Sequence, residues 1–177
     1  IEKIVSDIRY YSKFYIKLAF HREADPLLNH IIQDINTLKL DVAYPFLLEI
    51  YERFDKELLS KQEVLEIFKL VESYVFRRAI CDIPTNSLNK TFANLSSQIG
   101  KDNYLQSLKV ILVKKGIYRR FPNDIEFKEN FMKKNIYNSK IRKYLFDKLE
   151  NFERKESVNI DNYSIEHIMP QNKNLSD

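Results

Sequence analysis

Residues 60–80 read Ser60-Lys61-Gln62-Glu63-Val64-Leu65-Glu66-Ile67-Phe68-Lys69-Leu70-Val71-Glu72-Ser73-Tyr74-Val75-Phe76-Arg77-Arg78-Ala79-Ile80, and this stretch decides the fold class. It opens as S-x-x-E, the pattern in which a serine side chain and a glutamate side chain each satisfy a backbone N–H at a helix start. Val64, Leu65, Ile67, Phe68, Val71, Val75, Phe76 and Ile80 then make the helix that follows long and apolar. Pro84 ends the segment.

Helical text extends on both sides. Ile1, Ile4, Val5, Ile8, Tyr11, Tyr15 and Leu18 fall near one face of a first helix running to Phe20. Asp25-Pro26 supplies a capping carboxylate and a proline at the first helical position, followed by Leu27, Leu28, Ile31, Ile32, Ile35 and Leu38. A third helix is expected from Tyr44-Pro45 to Leu59. Beyond Pro84, Thr85 or Asn86 can cap a helix using Leu88, Phe92, Leu95 and Ile99, with Gly100 at its C′ position. Asp102 can cap another through Lys115, closed by Gly116. Pro122-Asn123-Asp124 starts a helix with Ile125, Phe127 and Phe131 inward, and Asn138-Ser139 opens the last, with Ile141, Tyr144, Leu145 and Leu149 buried. The expected fold is mainly α, an irregular bundle of about eight helices.

Composition agrees. A hydrophobic fraction of 44% suffices for a core, and two glycines in 177 residues argue against sandwiches, Rossmann folds and phosphate-cradling loops. Cys81 follows apolar text and reads as a buried, reduced thiol. The absence of a membrane-length apolar run or a signal-peptide core leads to the expectation of a cytoplasmic protein without membrane contact. The chain starts at Ile1 inside a helical pattern and stops at Asp177 without a closing element, so both ends read as cuts through a longer polypeptide.

The period changes after Val158. Val158 and Ile160, then Tyr163, Ile165 and His167, alternate like a short β-strand, dividing the chain into a helical domain, 1–157, and a second element, 158–177. Charge is also uneven. Residues 101–157 hold 15 Lys/Arg against 8 Asp/Glu, whereas residues 1–100 hold 13 against 14. The basic excess therefore lies just ahead of the expected strand, where it would suit a polyanion. Within it, Lys114-Lys115, Arg119-Arg120 and Lys133-Lys134 flank Tyr118, Phe121 and Tyr137. Such a mixture of cations and aromatics can hold a nucleic-acid backbone, or it can form solvated helix faces. Arg77-Arg78 could reach phosphate or a neighbouring domain, but reads first as a pair near a helix C-terminus that bonds Glu72, Asp82 or the last free carbonyls.

Of the three histidines, His21 and His30 lack metal-ligand spacing and read as surface or packing residues. His167 stands beside Glu166 and ahead of Ile168-Met169-Pro170, at a strand terminus. Metal-assisted phosphodiester hydrolysis needs a base to activate water and oxygen ligands for a hard cation, and one His with one Glu supplies one of each.

Glu166-His167-Ile168-Met169-Pro170-Gln171 resembles the first HNH strand in the C-terminal nuclease domain of GmrSD-type restriction systems: an acidic residue, His, an aliphatic pair, Pro and Gln. Ser73-Tyr74-Val75-Phe76-Arg77-Arg78-Ala79-Ile80-Cys81, Asn86-Ser87-Leu88-Asn89-Lys90, and Tyr144-Leu145-Phe146 with Leu149-Glu150 are similar to the family too, so the likeness covers most of residues 40–177. The resemblance implies that His167 is the general base and that Glu166 helps bind a divalent metal such as Mg²⁺. It also implies modification-dependent cleavage of phage DNA, and an N-terminal nucleotide-using domain as partner. Two parts of the family pattern are missing, the Asp-Gly-Gln-Gln-Arg signature of that domain and the later Asn-containing segment of the metal site. The expectation is an incomplete ββα-metal motif that holds no metal and cleaves nothing by itself. The alternative is a helical DNA-binding or interdomain coupling module without its own catalysis.

Overall fold

The computed structural model describes residues 2–166. Among them lie nine α-helices: α1 (Glu2–Phe20), α2 (Pro26–Thr37), α3 (Tyr44–Asp55), α4 (Lys61–Ile80), α5 (Leu88–Ala93), α6 (Leu95–Gln98), α7 (Tyr104–Lys114), α8 (Asp124–Lys133) and α9 (Arg142–Glu150). Short 3₁₀ turns at Asp41–Ala43, Thr85–Ser87 and Ile117–Arg119 join some of them. The ninth helix arises because the segment expected to run to Ile99 breaks at Asn94. There the side-chain amide donates to the Lys90 carbonyl at 2.9 Å, a bond that competes with the backbone ladder.

The capping box at Ser60 is present in both directions. Ser60 Oγ accepts from Glu63 N at 3.3 Å, and Ser60 N donates to the Glu63 carboxylate at 2.8 Å. The helix it opens is the hub, packing against α2, α3, α7 and α8. Val64, Ile67, Phe68, Val71 and Tyr74 are fully enclosed. Around it Phe14 stacks on Tyr51 at 5.5 Å, Tyr51 meets Phe68 edge-on at 5.6 Å, and Phe76 meets Tyr144 at 4.9 Å. Such aromatic pairs add to the burial term and fix relative orientation. Asp25 caps α2 as expected, accepting from Leu28 N at 2.9 Å.

Several local expectations fail. Ile4, Val5 and Ile8 are 63%, 59% and 65% exposed, so α1 joins the core through Phe14 and Leu18 in its second half. Leu27, Ile125 and Leu149 also face solvent, and Phe54 is exposed near the end of α3. That helix stops at Asp55, short of Leu59, because Glu57 takes a left-handed conformation (φ 56°). Leu58 N then bonds Arg53 O at 2.8 Å and Glu57 N bonds Phe54 O at 3.0 Å, the 6→1 and 5→2 pair that closes a helix. Lys39 does the same after α2. Neither glycine serves this purpose: no glycine has positive φ, and Gly116 is extended at φ −88°, ψ 166°. Asp102 does not cap α7, whose N-cap position is the left-handed Asn103. The turn before α5 also lacks a side-chain cap.

Two polar assemblies hold the helices. The first is at the end of α4. Arg78 is 1% exposed, and its guanidinium donates to Tyr118 O at 2.9 Å, Pro84 O at 2.8 Å and Ser87 Oγ at 2.9 Å. Tyr74 donates to Arg119 O at 2.8 Å, and Arg77 donates to Pro122 O at 3.2 Å while pairing with Asp124 at 2.6 Å. The arginine pair therefore does bond carbonyls, but those of residues 84 and 118–122 rather than of its own helix, and neither residue pairs with Glu72 or Asp82.

The second assembly joins α2, α4 and α9. Lys148 bonds Asp34 at 2.5 Å and Glu72 at 3.1 Å, and Tyr144 donates to Glu72 at 2.7 Å. Burial and the nearby Glu72 push the Asp34 carboxyl above its usual range, against the pull of Lys148. Burial opposes the charged form of Lys148, yet its bonds to Asp34 and Glu72 raise its pKa.

Four outcomes test this architecture. Arg78→Ala removes the donor shared by the Pro84 and Tyr118 carbonyls and leaves a cavity, so the urea midpoint should fall by the equivalent of about 3–4 kcal/mol at unchanged m-value. Arg78→Lys, which cannot bridge three acceptors, should fall between the two. Glu57→Gly relieves the left-handed backbone and should raise stability by about 0.5–1 kcal/mol. Asp34 has a raised folded-state pKa, so its contribution is present below the ordinary aspartate value and lost as pH climbs through the raised one. The stability of Asp34→Asn relative to the native protein should therefore increase as pH climbs from below the ordinary aspartate value through the raised one; a pH-independent difference would remove the argument.

Candidate functional site

The chain leaves α9 along a fixed path. Asn151 exchanges two bonds with Val158: its amide donates to Val158 O at 3.1 Å, and Val158 N donates to its carbonyl at 2.7 Å. Asp161 pairs with Lys143 of α9 at 2.5 Å, and Tyr163 N closes a turn onto Ile160 O at 3.0 Å. Residues 158–166 therefore run back beside the helix that precedes them. They form no strand among the described residues, since no second segment lies alongside to bond them. Between this segment and α9 lies a hollow of about 770 Å³, lined by Tyr137, Arg142, Phe146, Leu149, Tyr163 and Ile165 among others.

Glu166 closes the described chain. It is exposed, and Ser164 Oγ donates to its carboxylate at 3.2 Å. Most of its lone pairs remain open to solvent, as a ligand for a hard cation requires. His167 and the rest of the expected strand lie outside the described residues. Among the described ones, no group of three His, Cys, Asp or Glu side chains is placed to hold a metal ion. His30 lies 3.7 Å from Asp34, and His21 is exposed, so neither is part of a ligand set. Cys81 is a half-buried free thiol whose Sγ lies 3.9 Å from Glu126 O; burial raises its pKa, the reverse of what an activated thiolate needs.

The six basic residues separate by surroundings. Arg120 is held against Glu126 (Nη2–Oε1 2.5 Å) and donates to Ile117 O, while Lys134 is paired with Asp82 and mostly covered. Lys114 and Lys133 end α7 and α8 with their side chains in solvent. Lys115 is half-buried, bonded to Gln98 at 3.2 Å, and its pKa is lowered by burial and then by Arg119. Lys115 and Arg119 line one hollow of about 740 Å³ together with Lys90 from α5 and Tyr118. Lys90 carries no local signal in the sequence. It joins the group because Arg78, together with the direct Ser87 Oγ–Tyr118 O bond, draws the 84–87 turn and the 117–119 turn together.

The comparisons with known proteins agree with the terminal motif. Residues 121–177 match the family model described as GmrSD restriction endonucleases, C-terminal domain. The match spans about a third of the chain, less than the likeness read from the sequence over residues 40–177, and it contains Glu166 and His167. No curated protein and no solved structure matches. No helix among the described residues is long and apolar enough to cross a membrane.

Proposed function

We propose that this chain is part of a DNA restriction endonuclease that hydrolyses phosphodiester bonds in modified phage DNA, with His167 as the base that takes a proton from the attacking water. The observation that carries this reading is positional. The acidic-His-aliphatic-aliphatic-Pro-Gln run at residues 166–171 falls inside the stretch that matches the restriction endonuclease C-terminal domain. The exposed carboxylate of Glu166 and the basic excess of residues 101–157 support it, the first as a metal ligand and the second as a surface for DNA.

A divalent cation, Mg²⁺ or a close relative, suits the oxygen chemistry of Glu166 and, when bound, stabilises negative charge on the phosphate. Glu166 is the one donor the described residues contribute at this position, so further ligands have to come from elsewhere. A nucleotide-using domain is the proposed protein partner, on the strength of the family resemblance. A second reading, DNA binding by the helices without catalysis of their own, is favoured by the cationic hollow at Lys90, Lys115 and Arg119.

Cleavage of modified phage DNA by the natural full-length protein, with Mg²⁺ or Mn²⁺ supplied, separates the two readings. His167→Ala should slow cleavage by about 10²–10⁴-fold while leaving DNA binding intact. Glu166→Gln should raise the metal concentration needed for half-maximal rate. Equal cleavage by the native protein and His167→Ala would sink the assignment of the base. Binding without cleavage under every condition would favour the second reading.

A further inference from the structure

We propose that the hollow between the 84–90 and 115–119 segments is a docking site for the phosphodiester backbone of a DNA strand, with Lys90, Lys115 and Arg119 on phosphates and Tyr118 against a neighbouring base. This rests on DNA being the ligand of the protein, as argued above, and it names a place for DNA away from the terminal Glu166-His167 motif.

Charge is the first support. The lining of the hollow carries three cations and no aspartate or glutamate. Other cations of the same region are neutralised nearby, Lys109 by Glu66, Arg120 by Glu126 and Lys134 by Asp82. Lys90 and Arg119 have no carboxylate within ion-pair reach among the described residues, and Lys115 has a neutral amide.

The wall behind the hollow is charged as well. Arg78 bonds Pro84, Ser87 and Tyr118, all three of which line the hollow, and its partners are neutral oxygens. A buried arginine is ordinarily matched by a carboxylate. Here a full positive charge sits in low dielectric immediately behind the surface, where its field is poorly screened and adds to that of the three outer cations. Arg78 Nε has no hydrogen-bond partner among the described residues. The crowding is felt by Lys115, whose ammonium is disfavoured by burial and by Arg119. A bound phosphate would relieve the crowding at Lys115 and offset the field of Arg78 behind it.

Shape and apolar surface select the form of the anion. The hollow is open and about 740 Å³, room for a nucleotide unit of a longer strand. Tyr118 is 67% exposed at its edge, although its carbonyl is fixed by Arg78 and by Ser87 Oγ, each at 2.9 Å. A rigid backbone presenting an uncovered aromatic ring beside cations is the arrangement that holds single strands by stacking and phosphate contact. The preceding Ile117 has φ 30°, an unusual backbone for a β-branched residue, and its side chain is 73% exposed.

Binding of a fluorescent single-stranded oligonucleotide, titrated over salt, tests the site in the intact protein. Lys90→Gln/Lys115→Gln/Arg119→Gln should weaken binding roughly tenfold or more at about 50 mM salt and flatten the log–log salt slope by about two. Lys3→Gln/Arg9→Gln/Lys128→Gln removes the same charge elsewhere and should leave both nearly unchanged. Tyr118→Ala should weaken binding with the salt slope intact. Equal losses in the two triple variants would reduce the effect to net charge and overturn the site, as would native-like binding by the first. Loss of free dAMP binding with oligonucleotide binding retained would overturn DNA in favour of a small phosphate ligand. Cleavage by His167→Ala, measured in parallel, reports on the nuclease reading independently, so either idea can fail without the other.

Discussion

Arg78 sets the conditions for one side of the molecule. Burying a guanidinium without a carboxylate is costly, and the cost is acceptable only where the fork finds several good acceptors. Those acceptors come from turns with few backbone partners of their own: the carbonyls of Pro84 and Tyr118 and the hydroxyl of Ser87. The dependence is mutual. Without the turns Arg78 would be stranded, and without Arg78 the Pro84 and Tyr118 carbonyls would lose the donor that ties both turns to α4. Tyr74, Arg77 and Arg78 lie three and four residues apart on one face of α4. A single helical surface thus fixes the backbone at residues 118, 119 and 122.

The other side of α4 uses a different solution to the same problem. Asp34 and Glu72 share Lys148, so two buried carboxylates meet one ammonium, with Tyr144 as a neutral donor to the second. Burial first, and then the neighbouring Glu72 charge, displace the Asp34 carboxyl upward against the pull of Lys148. Lys148 reaches the network from α9, the helix that the terminal segment runs back along through Asn151–Val158 and Lys143–Asp161. The path of the chain up to Glu166 is therefore referred back to the core by side-chain bonds, although no strand ladder supports it among the described residues.

What could be read from the sequence follows from the range of each interaction. The Ser60 box, the Asp25 cap and the helix start at Pro122-Asn123-Asp124 depend on residues within one turn, and all three are present, the last with the Asn123 side chain accepting from Glu126 N. The apolar stripe of α4 was equally legible, since a helix covered on several sides must be apolar on several sides. Glycine proved a poor guide to helix ends, because Lys39, Glu57 and Asp82 take the left-handed positions and both glycines stay out of them. The stripe on α1 misled for another reason: periodicity reports which residues share a face, not whether anything covers that face. The Glu166-His167 motif was visible because its residues are adjacent. The hollow was not, because Lys90 and Lys115 are brought to it through Arg78 and the Ser87–Tyr118 bond, long-range contacts that no local pattern encodes.

The basic excess of residues 101–157 changes meaning once the partners are known. Counted along the chain, it suggests one broad positive surface. Much of it is instead spent inside the protein: Lys109 on Glu66, Arg120 on Glu126, Lys134 on Asp82, Lys143 on Asp161, and Lys148 on Asp34 and Glu72. These pairs cancel at short range, so a distant polyanion senses the cations left over. Lys114, Lys115, Arg119 and Lys133 belong to that remainder, and two of them face Lys90 across one hollow with Arg78 behind it. A modest net charge is thereby concentrated where the fold needs no ion pair, and local concentration, more than net charge, determines where a phosphate backbone binds.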